Sequence, residues 1–139
     1  MAKQGGLSLT ALSVDTSAGV AKDIRNDITN FDFATPRGVQ DVTGVDKAAM
    51  ERILLLADFS ITLNGVFNDA ADMSHSVFAT VPSSSVARTV TLTITGGVGA
   101  NTLPNECLFT DYSMSRGNDG SLTWTAPGVL SDGTTPTWA

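Results

Sequence analysis

Apolar and polar positions alternate along several stretches of the chain, which predicts strands. Residues 7–14, LSLTALSV, place Leu7, Leu9, Ala11 and Ser13 on one face and Ser8, Thr10, Leu12 and Val14 on the other. In DFSITLNGVF, Phe59, Ile61, Leu63 and Phe67 oppose Asp58, Ser60, Thr62 and Asn64, the clearest half-buried strand in the sequence. VARTVTLTIT sets Val86, Val90, Leu92 and Ile94 against Thr89, Thr91, Thr93 and Thr95, and β-branched residues on both faces disfavour a helix. The stretch 106–128 reads as a hairpin. An Asn118-Asp119-Gly120 loop, with Gly120 left-handed, brings Met114 opposite Trp124 and Tyr112 opposite Ala126.

Two segments carry helical spacing instead. In DKAAMERILLLAD, Ala49, Ile53 and Leu56 fall at i, i+4 and i+7, with Thr43 or Asp46 as cap, and this predicts a short helix. Residues 70–80 place Ala70, Met73 and Val77 on one face, with Asp69 as the expected N-cap. Residues 15–44 show no sustained period, and are expected to be a long loop that either adds a hairpin around ITNFDFA or orders against a partner. The tail from about 129 to 139 is turn-rich but ends near Trp138, an aromatic that tends to dock.

A chain of 139 residues fits one domain, 1–139. Fourteen acidic residues against eight basic ones, with no basic cluster, argue against sequence-specific nucleic-acid binding. A lone cysteine excludes an internal disulfide, and neither a membrane-length apolar run nor a signal-peptide pattern is present. The expectation is a folded protein in a reducing compartment, without a membrane anchor.

Candidate chemistry is sparse. Asp69, Asp72 and His75 lie within about 60° of one another on a helix, but Asp69 suits a cap and no second His or Glu follows at i+4, so a hydrogen-bonding His is preferred to a metal ligand. His75 has no Gly-x-Ser-x-Gly elbow to serve. Cys107, between Glu106 and Leu108 in an expected strand, reads as a packed thiol. GGVGAN, residues 96–101, lacks the third glycine and the following helix of a dinucleotide turn and reads as an inter-strand loop. No catalytic residue, metal or cofactor is expected.

Residues 41–78 nevertheless form a pattern: Asp41 and Thr43; then Ala48, Arg52 and Leu56; then Asp58, Ser60, Leu63, Gly65 and Phe67; then His75, Val77 and Phe78. This pattern resembles the major tail tube proteins of long-tailed, siphovirus-type bacteriophages. Residues 23–44 look like that family's stacking loop, with Asp23, Ile24, Ile28, Phe31, Phe33 and Arg37 as its inter-ring or inter-subunit contacts, and the Gly120-x-Leu122-x-Trp124 hairpin is similar to its closing strands. The resemblance implies a mainly β, α+β fold with one or two short helices, a β-sandwich or open β-barrel assembling as hexameric rings. It implies a non-catalytic virion protein whose rings stack into a tube, assembled in the host bacterial cytoplasm. Its implied partners are the tape measure, terminator and distal tail proteins, with double-stranded DNA passing through unbound. Six copies at −6 each give about −36 per ring, which repels phosphates. Asp58, Glu106 and Asp111 are the lumen candidates because they lie in or beside expected strands. A tail terminator or connector ring of the same fold, and a carbohydrate-binding β-sandwich using Trp124 and Trp138, are the alternatives.

Overall fold

The computed structural model describes residues 3–139. Ten strands run in chain order: β1 (Leu9–Asp15), β2 (Ala21–Asp23), β3 (Ile28–Ala34), β4 (Arg37–Asp41), β5 (Arg52–Ala57), β6 (Ser60–Val66), β7 (Arg88–Gly96), β8 (Gly99–Phe109), β9 (Ser113–Arg116) and β10 (Leu122–Leu130). One short helix, α1 (Ser74–Phe78), lies between β6 and β7. Eight strands build one antiparallel sheet in the order β2-β1-β7-β8-β10-β6-β3, with β9 added on β10, while β4 and β5 form a separate ribbon. Leu9 and Leu12 of β1 and Ile28 and Phe31 of β3 line the same hollow although they come from opposite ends of that order. The sheet is therefore curled into an open barrel.

The alternation in the sequence explains which way each strand faces. Ile61, Leu63 and Gly65 of β6, Val90 and Leu92 of β7, Leu103 and Cys107 of β8, and Trp124 and Ala126 of β10 point inward, joined by Phe59 before β6 and by Val77 and Phe78 of α1. In β1 the inward face is Leu12 and Val14; a bulge between Leu9 and Ala11 resets the register, and Leu7 is left fully exposed outside the strand. Trp124 occupies the centre, within 6 Å of Phe78 and Tyr112, and donates its indole N–H to the Val66 carbonyl at 2.8 Å. Its ring lies over Gly65, where a Cβ would fall 2.7 Å from Trp124 and would also strike the Asp27 carbonyl oxygen. Only a glycine fits that close approach.

Several expectations hold and several do not. Met114 does pair with Trp124, and Gly120 has φ of 90° in the tight Gly117–Ser121 turn. Pairing stops at Ser113 with Thr125, so Tyr112 does not face Ala126 but folds over Trp124 and His75. The helix expected around residues 46–58 is instead strand β5: four consecutive bulky apolar residues, Ile53–Leu56, satisfy helical and strand spacing alike, and pairing with β4 decides the outcome. Of the alternatives for residues 15–44, strand formation around ITNFDFA is the one found, though not as a local hairpin. ITNFDFA is β3 itself, paired along its length with β6, and Ile24 is fully buried.

The cap of α1 also differs. Met73 stands at the N-cap and contributes no side-chain bond, and Asp69 is exposed. The carboxylate that serves the helix is Asp27, 2% exposed, which accepts from the Ser74 N–H at 2.9 Å and from Asn68 Nδ2 at 2.8 Å. Arg88, equally buried, secures the other end of the segment by donating to the Val77 carbonyl, the Thr80 hydroxyl and the Asp15 carbonyl. Burial lowers its pKa, with Asp15 opposing. Asp27→Ala strands two donors in the interior, and urea unfolding is expected to show a loss of about 2–3 kcal/mol; a change below about 0.5 kcal/mol would show that Asp27 carries no such role.

Candidate assembly interface

Among the described residues β4 and β5 pair only with each other, antiparallel, with Val39 opposite Leu54, Gln40 opposite Ile53 and Asp41 opposite Arg52. Leu55 and Leu56 both oppose Gly38, a bulge in β5, so strict alternation runs only from Arg52 to Leu54; Arg52 to Leu56 are all exposed. Leu54 is 58% exposed and Leu56 91%; Val39, Met50, Ile53 and Leu55 are exposed beside them. An isolated two-stranded ribbon is marginal in water, and a contiguous apolar surface on one is the mark of an interface.

Polar bonds hold the ribbon in one shape despite its exposure. At its root the Asp58 N–H donates to the Pro36 carbonyl at 3.1 Å. Further out, Arg37 donates Nε and Nη2 to the Leu55 carbonyl at 3.0 and 2.9 Å across the bulge at Gly38. At the tip, Thr43 donates its hydroxyl to Asp41 Oδ1 at 2.6 Å and accepts from the Glu51 N–H at 2.8 Å, closing the 42–51 loop. The Thr43 hydroxyl and, secondarily, its N–H hold the Asp41 carboxyl below its usual range. The Asp41/Thr43 spacing is thus a structural buckle.

The other expected positions fall elsewhere. Asp23, Ile24, Ile28, Phe31 and Phe33 belong to β2, β3 and the turn between them, inside or against the main sheet; of the expected loop contacts only Arg37 lies on the ribbon. Asp58 and Asp111 sit in connections, accepting from the N–H of Phe59 and Tyr112 at 2.8 and 2.9 Å. Glu106 lies on the outer face of β8 and accepts from the Thr89 hydroxyl at 2.9 Å. His75 packs at a tilt against Phe67 with centroids 4.7 Å apart, and its Nδ1 lies 3.2 Å from the Tyr112 hydroxyl; Asp72 pairs with Lys22 at 2.8 Å. Among the described residues no group of His, Cys, Asp or Glu is placed to hold a metal, and no helix is long and apolar enough to cross a membrane. Trp124 is 1% exposed and unavailable as a sugar platform, while Trp138 packs 6.3 Å from Phe33 and Ala139 exchanges two backbone bonds with Thr102.

No protein-family model and no curated protein matches the chain. Solved structures do. One, described as the "tail of empty GTA particle computed with helical refinement, C6 symmetry", superposes with a TM-score of 0.70 at 16% identity, covering 99% of this chain and 98% of that one. A second, described as the "virion of native gene transfer agent (GTA) particle", gives 0.65 at 16% identity over 97% and 99%. The chain thus shares its fold with a subunit of the tail of a gene transfer agent particle.

Cys107 is buried, as its sequence context suggests, and its thiol is pushed up from 9.0 to about 12 by burial first and by Glu106 and Asp132 next. The folded protein holds this proton more tightly than the unfolded chain does, so stability is unaffected below pH 9 and falls as pH rises from about 9 towards about 12. Melting temperatures followed from pH 8 to 11 are expected to decline more steeply for the native sequence than for Cys107→Ala; parallel curves would contradict the assignment.

Proposed function

We propose that this protein is the repeating, non-catalytic subunit of a phage-type tail tube, forming hexameric rings that stack into a channel for the genome. The observation that carries this reading is the pairing of a full-length fold match to a subunit of a C6-symmetric tail with a rigid ribbon whose apolar faces a lone subunit leaves in water. Tape measure, terminator and distal tail proteins are the expected neighbours, the virion the final location and the host cytoplasm the site of assembly. A siphovirus-type tail is the finer assignment.

Electrostatics supports the same reading. On the outer face of the sheet, β7 presents Thr89, Thr91, Thr93 and Thr95, and β6 and β10 present Thr62, Asn64, Thr123 and Thr125, all uncharged. The charges that alternate onto this face from β1, β3 and β8 are Asp15, Asp32 and Glu106. A surface of hydroxyls and carboxylates offers duplex DNA no cation to neutralise its phosphates, and we assign the part of it on β7 and β8, with Glu106, to the lumen.

Two measurements test the proposal. Electron microscopy of concentrated protein is expected to show sixfold rings or hollow tubes, and Leu54→Asp/Leu56→Asp is expected to abolish them. That double variant removes about 3–6 kcal/mol of apolar burial per joint, at about 1.5–3 kcal/mol per leucine, yet leaves the isolated subunit's melting unchanged. Tubes that survive the substitution would remove the ribbon from the interface, and a native protein that stays monomeric throughout would sink the tail-tube reading. For the lumen, Glu106→Lys is expected to give tubes that retain duplex DNA at low salt and release it as salt rises. Unaltered retention would place that face outside the channel.

A further inference from the structure

We propose that residues 131–139 form a strap that guards an open strand edge, keeping a lone subunit from pairing there with the extended backbone of another chain. The edge belongs to β8. That strand pairs with β7 over residues 99–107, but on its other side β10 reaches it only at residues 107–109. From residue 99 to 106 that side has no strand partner among the described residues. Such an edge templates pairing with other chains unless it is blunted. Two devices blunt this one. Thr102 turns its backbone to the open side, donating to the Ala139 carbonyl at 3.1 Å and accepting the Ala139 N–H at 2.8 Å, and the Glu106 carbonyl accepts the Ser131 N–H at 3.0 Å. Backbone groups alternate in direction along a strand, so Pro104, midway between those two, faces the same side. A proline has no N–H, and the donor that the middle of the edge would offer is missing.

The strap covers the edge without becoming a strand of the sheet. Residues 132–138 separate its two backbone anchors, against only residues 103–105 on β8, so its middle arches away, turning at Gly133 with φ of 76°. The surplus bonds to itself: Asp132 Oδ1 accepts the Thr134 N–H at 3.0 Å, and the Thr137 hydroxyl donates to the Thr135 carbonyl at 3.1 Å. Its aromatic anchor is Trp138, packed on Phe33 with centroids 6.3 Å apart, and Phe33 in turn lies 6.0 Å from Phe59. Trp138 is 48% exposed, so that anchor is half in water. A segment fastened at its ends and exposed between them opens locally, at a cost far below that of global unfolding. Opening frees the Thr102 backbone and leaves Pro104 as the remaining block. Neither device belongs to the core, since Pro104 and residues 137–139 are exposed. Their shared position, one within the edge and one laid along it, is what assigns them a common task.

Hydrogen exchange and aggregation kinetics test the guard. Trp138→Gly in the full-length chain is expected to speed exchange of the Thr102 amide at least about 10-fold, while the Leu92 amide inside the sheet keeps its native rate. Removing residues 132–139 together with Pro104→Thr is expected to give dye-binding aggregates with the cross-β repeat of about 4.7–4.8 Å. They should form at least about 10-fold faster than from the native protein, and faster than from either change alone. Trp124, the sole tryptophan left by the deletion, reports the folded core. Should its emission depart from that of a buried ring, Trp138→Gly/Pro104→Thr in the full-length chain takes the place of the deletion in the same comparison. An unchanged Thr102 exchange rate in Trp138→Gly, or a folded double variant that aggregates no faster than the native protein, would overturn the guard. Cross-β aggregates are distinct from sixfold tubes, so this outcome is independent of the tail-tube reading.

Discussion

Asp27 joins parts of the chain that have no other reason to meet. It lies in the turn leading into β3, and its carboxylate, shut away from water, is satisfied by the backbone at the start of α1 and by Asn68 in the loop before it. A buried carboxylate without such donors would be strongly destabilising, so the turn, the loop and the helix have to be placed together. Its carbonyl meanwhile lies against the bare Cα of Gly65, on which the Trp124 ring also rests. Helix position, strand spacing and the central aromatic thus follow from one locus. Once β3 is fixed on β6 there, the chain past Ala34 leaves the barrel as the ribbon.

Much of this was legible in the residues. Alternation in 58–67, 86–95 and 106–128 located β6, β7 and the β9–β10 hairpin, and the Gly120 turn gave the Met114–Trp124 register, because half-buried strands write their faces into the sequence at a period of two. The helix expected across 46–58 failed because Ile53–Leu56 is apolar at every position, so no period exists to be read. A ribbon exposed on both faces looks locally like a buried segment. Residues 15–44 read as a long excursion with at most a hairpin around ITNFDFA, because β2 is only three residues long and β6, the partner of β3, comes only after the ribbon.

The proposed assembly surface was legible only through resemblance. Asp41 and Thr43 were visible as a pattern, but their work, clamping a ten-residue loop shut through Glu51, is a relation between positions eight apart that no local propensity reports. Asp27 and Arg88 went unnoticed for a similar reason: their partners lie at a distance in sequence, up to 73 residues for Arg88, and nothing in composition distinguishes them from surface charges. The sequence signal for the ribbon itself was the run of four bulky apolar residues followed by Asp58, which read equally well as a core.

The buckled ribbon carries one more consequence. Because Arg37 and Thr43 already hold it in shape, docking in the proposed joint would cost little ordering entropy, its strength coming chiefly from removing leucine, isoleucine and methionine surface from water. That driving force is entropic near room temperature and fades on cooling. The proposed assembly, joined by Leu54, Leu56 and their neighbours, would therefore be cold-labile: chilling would loosen it without unfolding a subunit, and rewarming would restore it.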